Sequence, residues 1–164
     1  MKKGKILAAL LVTFASSTAM AGSTTSNFQA NAVMNSSCSV TSTNVNFGTI
    51  NSADAVNATG TISFTCSKSV QYKLGLSSGS SGEIRSREMV GTITGNNDKL
   101  SYNLYVDEGR VALWGNGLPG DGGSIWSGKG SGEVQTNTIY GKVNSGQYIK
   151  PDTYSDNLIV SVFY

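Results

Sequence analysis

Apolar residues recur at every second position in several separate stretches of this chain, and this spacing constrains the fold more than any other feature. Residues 61–66 read TISFTC, residues 70–76 read VQYKLGL and residues 100–106 read LSYNLYV. Residues 134–143 and 157–164 continue the pattern. A period of two is typical of β-strands that bury one face, and no stretch of a dozen residues keeps the spacing of an amphipathic helix. The chain therefore predicts an all-β fold.

Short clusters rich in Gly, Ser and Asn separate these stretches and are typical of turns. They are SSGSSG at 77–82, TGNND at 94–98, GNGLPGDGG at 115–123 and SGKGSG at 127–132. Six or seven strands joined by such turns predict an immunoglobulin-like β-sandwich. No linker or internal repeat divides the chain, so we expect one domain after any leader.

The first residues have the composition of a secretory signal peptide. Lys2, Lys3 and Lys5 precede an apolar run of about ten residues, and an Ala-x-Ala site ends at Ala21. The run is too short to cross a bilayer, which takes about 20 residues. We therefore expect residues 1–21 to be removed and residues 22–164 to be exported as a soluble domain.

The charges argue against nucleic acid as a partner. The whole chain carries 12 basic and 10 acidic residues, but the predicted signal holds three of the lysines. The remaining chain has 9 basic and 10 acidic residues, with no basic run that could neutralise a row of phosphates.

The chain contains two cysteines, Cys38 and Cys66. An even number in a chain that leaves the cytoplasm predicts a disulfide, with two free thiols as the alternative. Both cysteines lie near the ends of alternating stretches, which suits a covalent link between two strands.

The sequence offers little chemistry for catalysis or metal binding. It has no histidine, which removes the histidine-based triads and imidazole metal sites. Asp107 and Glu108 are adjacent but lie in DEGR, which is better interpreted as a turn. Gly115, Gly117 and Gly120 match a dinucleotide fingerprint only in spacing, because a loop with Pro119 follows instead of a helix. We expect no enzymatic activity and no cofactor.

The N-terminal part of the exported chain carries one more alternating stretch, SNFQANAVMNSSC at residues 26–38. Phe28, Ala30, Ala32 and Met34 share one face, and Val33 interrupts the polar face. This face could enter its own domain or that of a neighbour.

Several local patterns together resemble a known family. NSSCSV, VNFGTI and TGTISFTC in the first half, and LSYNLYVD, LWGNG, IYGKV and YSDNLIVSVFY in the second, are similar to the spore coat protein U domain. Pilin subunits of the archaic chaperone–usher pathway share that domain. The resemblance implies an incomplete immunoglobulin-like sandwich that lacks its last strand. It also implies a secreted subunit of a surface pilus, or fimbrium, that supports adhesion and biofilm formation.

The resemblance further implies partners and their sites. A periplasmic chaperone would first fill the open groove, and an outer-membrane usher would exchange it for the N-terminal strand of a neighbouring subunit. The donor strand would lie within residues 22–34 and use Phe28, Ala30, Ala32 and Met34. The chaperone would bind along the C-terminal strand, through Leu158, Val160, Val162 and Tyr164.

Two other functions are compatible with the sequence. One is a carbohydrate-binding or tip-adhesin module, for which Trp114 and Trp126, in or beside Gly-rich loops, are the candidate contact residues. The other is a structural protein of a spore coat.

Overall fold

The structure is a computed structural model that describes residues 21–164. The predicted signal peptide therefore lies outside the described residues, except for Ala21. The chain divides into two units, residues 1–33 and residues 34–164. The described part of the first unit, residues 21–33, contains no helix or strand.

The second unit is a sandwich of two antiparallel sheets, which confirms the all-β, immunoglobulin-like prediction. A six-stranded sheet has the order β1-β2-β7-β5-β4-β8, and a three-stranded sheet has the order β6-β3-β9. The strands are β1 Cys38–Ser42, β2 Val56–Cys66, β3 Gln71–Leu76, β4 Arg87–Gly91, β5 Lys99–Tyr105, β6 Trp126–Lys129, β7 Gln135–Val143, β8 Tyr154–Ser155 and β9 Val160–Phe163. Two 3₁₀ turns, Gly79–Ser81 and Ile84–Ser86, precede β4.

The described residues form nine strands, more than the six or seven predicted. The long strands β2, β3, β5 and β7 follow the alternating stretches. Short strands such as β6 and β8 carry too few apolar residues to show a period of two.

The core lies between the sheets and is made of the inward residues of the alternating stretches. Its buried members are Ile62, Phe64, Cys66, Tyr72, Leu74, Leu76, Leu100, Tyr102, Leu104, Trp114, Ile139 and Val143. Tyr72 and Tyr102, which occupy inward positions of the alternating stretches, are both buried.

Trp114 overturns the prediction that it is an exposed contact residue. Its side chain is 0% exposed, and its Nε1 donates a hydrogen bond to the Leu74 carbonyl over 3.0 Å. The centroid of its ring lies 4.6 Å from that of Trp126. Trp126 is itself half-buried. Both rings are used for packing because the loop that follows Trp114 folds back onto the three-stranded sheet.

Among residues 21–164, one buried side chain is charged. Arg87, at the start of β4, is 0% exposed, and its guanidinium donates to the carbonyls of Trp114 (2.7 Å), Ser77 (3.1 Å), Ile84 (3.4 Å) and Leu76 (3.5 Å). Burial lowers its pKa, and nearby Tyr102, Asp156 and Asp121 oppose this shift.

The segment between β1 and β2 crosses over the six-stranded sheet instead of extending β1. Val45 and Phe47 lie above Gly60 and Gly141, where an added Cβ would come within 2.8 Å of their side chains. Glycine at these two strand positions gives the crossing segment room to pack.

The predicted disulfide is present. Cys38 and Cys66 are bonded to each other and lie directly opposite in the β1–β2 register. The bond fastens the edge strand β1 to the long strand β2.

We predict that a Cys38→Ser, Cys66→Ser double variant unfolds more easily than the native chain. A cross-link across 28 residues lowers the conformational entropy of the unfolded chain. In the loop-entropy model this raises the free energy of unfolding by about 3–4 kcal/mol. Urea titration should show that the free energy of unfolding of the double variant is about 3 kcal/mol lower than that of the native chain. Addition of a reductant should lower the stability of the native chain to that of the double variant and leave the stability of the double variant unchanged. An equal effect of the reductant on both proteins would contradict the prediction.

Candidate interaction groove

Strand β9 has one free edge. Among the described strands it pairs only with β3. Strand β1, the edge strand of the other sheet, lies next to it without a strand pairing. Antiparallel pairs alternate between hydrogen-bonded and non-hydrogen-bonded positions. The Ser77 amide donates to the Ile159 carbonyl, which places Val160 and Val162 at the non-bonded positions. Their peptide groups therefore point away from β3, towards the open side.

A groove opens beside this free edge and has a volume of about 840 Å³. Its floor is the hydrophobic core itself, because buried residues of both sheets line it: Leu76, Leu100, Tyr102, Leu104, Trp114 and Ile139. Residues 42–50 form one wall and residues 151–158 the other. A complete sandwich would cover such a floor with a strand.

The predicted chaperone-binding residues have different surroundings. Leu158 and Val160 line the groove, and Val162 is half-buried against the core. Tyr164 follows the end of β9, is 61% exposed and borders a separate shallow depression with Lys73 and Lys129. Strand β9 is thus shorter than the alternating pattern that predicted it.

The predicted donor residues are all exposed. Phe28 is 90% and Met34 94% exposed, Ala30 and Ala32 are also exposed, and residues 21–37 form no strand. An alternating apolar face is therefore available in this segment.

The second wall of the groove is fastened by carboxylates, which sequence reasoning missed. We call residues 150–157 the strap. Asp152 accepts hydrogen bonds from Asn96 Nδ2 (2.7 Å), Ile93 N (3.0 Å) and Thr92 Oγ1 (3.0 Å). Asp156 accepts from Ser80 Oγ (2.6 Å), Ser80 N (2.9 Å) and Tyr102 Oη (2.7 Å).

These contacts shift two pKa values. Partial desolvation would raise the pKa of Asp152, but the hydrogen bonds from Asn96, Ile93, Thr92 and Thr153 lower it to about 2. Burial, followed by the hydrogen bond to Asp156, raises the pKa of Tyr102 above its ordinary value. At neutral pH the Asp152 carboxylate is therefore charged and the Tyr102 phenol is neutral.

The described residues show no arrangement for other chemistry. Residues 21–164 contain no cluster of three metal-ligating side chains and no helix long and apolar enough to cross a membrane. Asp107 accepts the amides of Val111 and Ala112 in a turn after β5, as the turn interpretation predicted. The residues 115–120 form bends and turns rather than the start of a helix.

Comparisons with known proteins agree with this architecture. The family model of the Spore Coat Protein U domain matches residues 24–161. Over 178 aligned residues the chain is 32% identical to "Protein U" of Myxococcus xanthus, covering 96% of this chain and 93% of that protein.

A solved structure shares the fold. It is the CsuC–CsuE chaperone–tip adhesion subunit pre-assembly complex from archaic chaperone–usher Csu pili of Acinetobacter baumannii. The TM-score is 0.56 at 23% identity, over 79% of this chain and 40% of the matched chain.

We predict that Asp152 makes stability depend on pH. Its pKa in the folded chain is about 2, below the ordinary 3.8. The stability that Asp152 contributes to the folded chain is therefore fully present above the ordinary pKa, and it is lost as the pH falls through about 2. Urea midpoints measured between about pH 6 and pH 2 should fall more for the native chain than for Asp152→Asn. Parallel curves for the two proteins would contradict the prediction.

Proposed function

Because the chain belongs to the Spore Coat Protein U domain family, we propose that it is a structural subunit of a surface pilus assembled by strand exchange between neighbouring copies. The observation that carries the proposal is the groove of about 840 Å³ that is lined by core residues and lies beside a free strand edge. An extended segment laid in the groove would hydrogen-bond to the edge and place every second side chain on the core.

The free edge explains why the occupant is a strand. Unpaired peptide groups at Val160 and Val162 form a template for one more strand. Every second side chain of that strand would pack against the apolar floor beside them. A helix or an irregular loop would leave these peptide groups without partners. An isolated subunit leaves this edge unpaired and the groove unfilled, which favours association with a partner strand.

The N-terminal segment has the properties of such an occupant. From Phe28 to Met34 an extended chain spans about 20 Å, with four apolar side chains on one face. Residues 22–37 contain no charged side chain, so the segment can enter an apolar groove without an unpaired charge. Ala30 and Ala32 are small, so Phe28 and Met34 supply most of the side-chain contact.

The remaining partners and the location follow from the resemblance stated above. Removal of residues 1–21 would release the chain into the periplasm, where a chaperone occupies the groove. An outer-membrane usher then exchanges it for the N-terminal segment of the next subunit. The finished fibre lies on the cell surface and serves adhesion and biofilm formation.

A spore-coat structural protein is the second candidate. The family's description and the 32% identity to Protein U over nearly the whole chain favour it. Both functions use the same groove, so the location of the assembled protein separates them. Immunogold labelling on fibres outside growing cells supports a pilus, and labelling confined to a coat layer supports the alternative.

We predict that Phe28→Asp and Met34→Asp each abolish fibres and leave the chaperone complex intact. A carboxylate forced into an apolar groove without a partner costs several kcal/mol. The matched controls are Gln29→Asp and Asn31→Asp, which place the same charge on the opposite face.

Co-expression with the chaperone and usher measures both activities, as soluble chaperone complex and as surface fibres. Equal loss of fibres from both faces, or loss of the chaperone complex itself, would mean that the segment is an ordinary strand of its own domain.

We also predict that Val160→Asp prevents capture by the chaperone, because Val160 lines the groove. Ile159→Asp is the control, since Ile159 is 69% exposed and the variant should be captured normally. The measurement is co-purification with a tagged chaperone. Disulfide formation, read by mass spectrometry, shows that each variant has folded. Equal capture of both folded variants would count against β9 as the receiving strand.

A further inference from the structure

The strap is held by two carboxylates that lie four residues apart and dock at separate places. Asp152 binds the turn after β4, through Thr92, Ile93 and Asn96, and Asp156 binds Ser80 and Tyr102. Among the described residues that line the groove, these two are the charged ones.

Each carboxylate also sits against a glycine. A Cβ added at Gly91 would collide with the carboxylate of Asp152, and a Cβ added at Gly79 would collide with that of Asp156. The missing side chains leave two niches that fit the strap. A glycine that makes room for a carboxylate of the strap thus occurs twice, on two different elements, which indicates that the docking of the strap is built into the fold.

The other attachments of the strap are slight. Strand β8 pairs with β4 over two positions, Val90↔Ser155 and Gly91↔Tyr154. Beyond these, the Thr92 amide donates to the Thr153 carbonyl and the Lys150 amide to Asp98. Asn96 Nδ2 also donates to Tyr154 Oη over 3.2 Å, and Tyr154 is the one side chain of residues 150–157 that packs against the hydrophobic core. Several of these bonds are exposed to solvent, so water can replace them when the strap lifts. Opening the same sheet further from the strap would instead break the long β2–β7 ladder.

We propose that the strap is a hinged wall of the groove, and that Asp152 and Asp156 hold it closed over the occupant. Lifting the strap widens the groove along the side opposite residues 42–50 and lets a bound strand leave or enter. This inference rests on the proposed function only for the identity of the occupant. The fastening of the strap is independent of it.

Amide hydrogen exchange on the full exported chain tests the fastening. The test variants are Asp152→Ala with Asp156→Ala, and Gly91→Ala, which displaces Asp152 but keeps its charge. The control is Asp107→Ala, which removes a carboxylate that accepts backbone amides in a turn outside the groove. Amides of β2 and β7 report whether each variant stays folded.

We expect amides of residues 150–157 to exchange at least about tenfold faster in the test variants. The reason is that these variants lose hydrogen bonds to a charged carboxylate that stabilise the docked strap in the native chain. The control and the β2 and β7 amides should be unchanged. Unchanged exchange in the strap of the folded Gly91→Ala variant would overturn the proposal.

A second measurement follows the occupant. A fluorescent peptide with the sequence of residues 26–37 should leave the double variant about tenfold faster than the native chain, and leave Asp107→Ala at the native rate. Faster strap exchange with unchanged peptide release would overturn the role of the strap as a gate. Failure of the peptide to bind the native chain would instead overturn the proposed function, while the exchange data still decide how the strap is fastened.

Discussion

The sandwich depends on one buried cation. Arg87 has no exposed surface, and its five hydrogen bonds all go to main-chain carbonyls. A buried guanidinium is costly unless its donors are satisfied, and here four carbonyls from three segments satisfy them. Arginine suits the position because its planar fork can reach carbonyls that converge from different directions. The residue joins the end of β3, the turn before β4 and the segment of Trp114.

That junction also sets the position of the groove. Arg87 binds the Ser77 carbonyl, the Ser77 amide donates to the Ile159 carbonyl, and the Ser77 hydroxyl accepts from the Ile159 amide. The register of β9 is therefore fixed at Ile159, the residue before its start. Trp114, held by the same guanidinium, forms part of the groove floor. The buried cation thus links the receiving edge to the apolar surface beside it.

Sequence reasoning located the parts of this fold whose signal is local. Period-two spacing identified the inward residues of β2, β3 and β5, and export with two cysteines predicted the disulfide. It failed at Trp114, because a glycine-rich neighbourhood indicates a loop but not what the loop packs against. Asp152 and Asp156 accept hydrogen bonds from residues 54 to 76 positions away, and no local sequence pattern indicates such contacts. The apolar positions 45 and 47 carried a period-two signal for the first wall, but the glycines beneath them became meaningful only in three dimensions.

In the proposed assembly, the small central residues of the N-terminal segment bear on how a subunit can be selective and yet join a repeating fibre. A buried Phe or Met contributes about 1.5–3 kcal/mol, so two large side chains alone give modest affinity. Main-chain hydrogen bonds to the free edge at Val160 and Val162 must supply much of the rest, at about 1 kcal/mol each. Such bonds depend on the occupant being extended rather than on its composition. Selectivity then has to come from the shape of the groove, and the strap is the wall with the fewest apolar attachments. In the proposed assembly, a groove with one adjustable wall would accept a chaperone strand first and a subunit strand afterwards without a change in its floor.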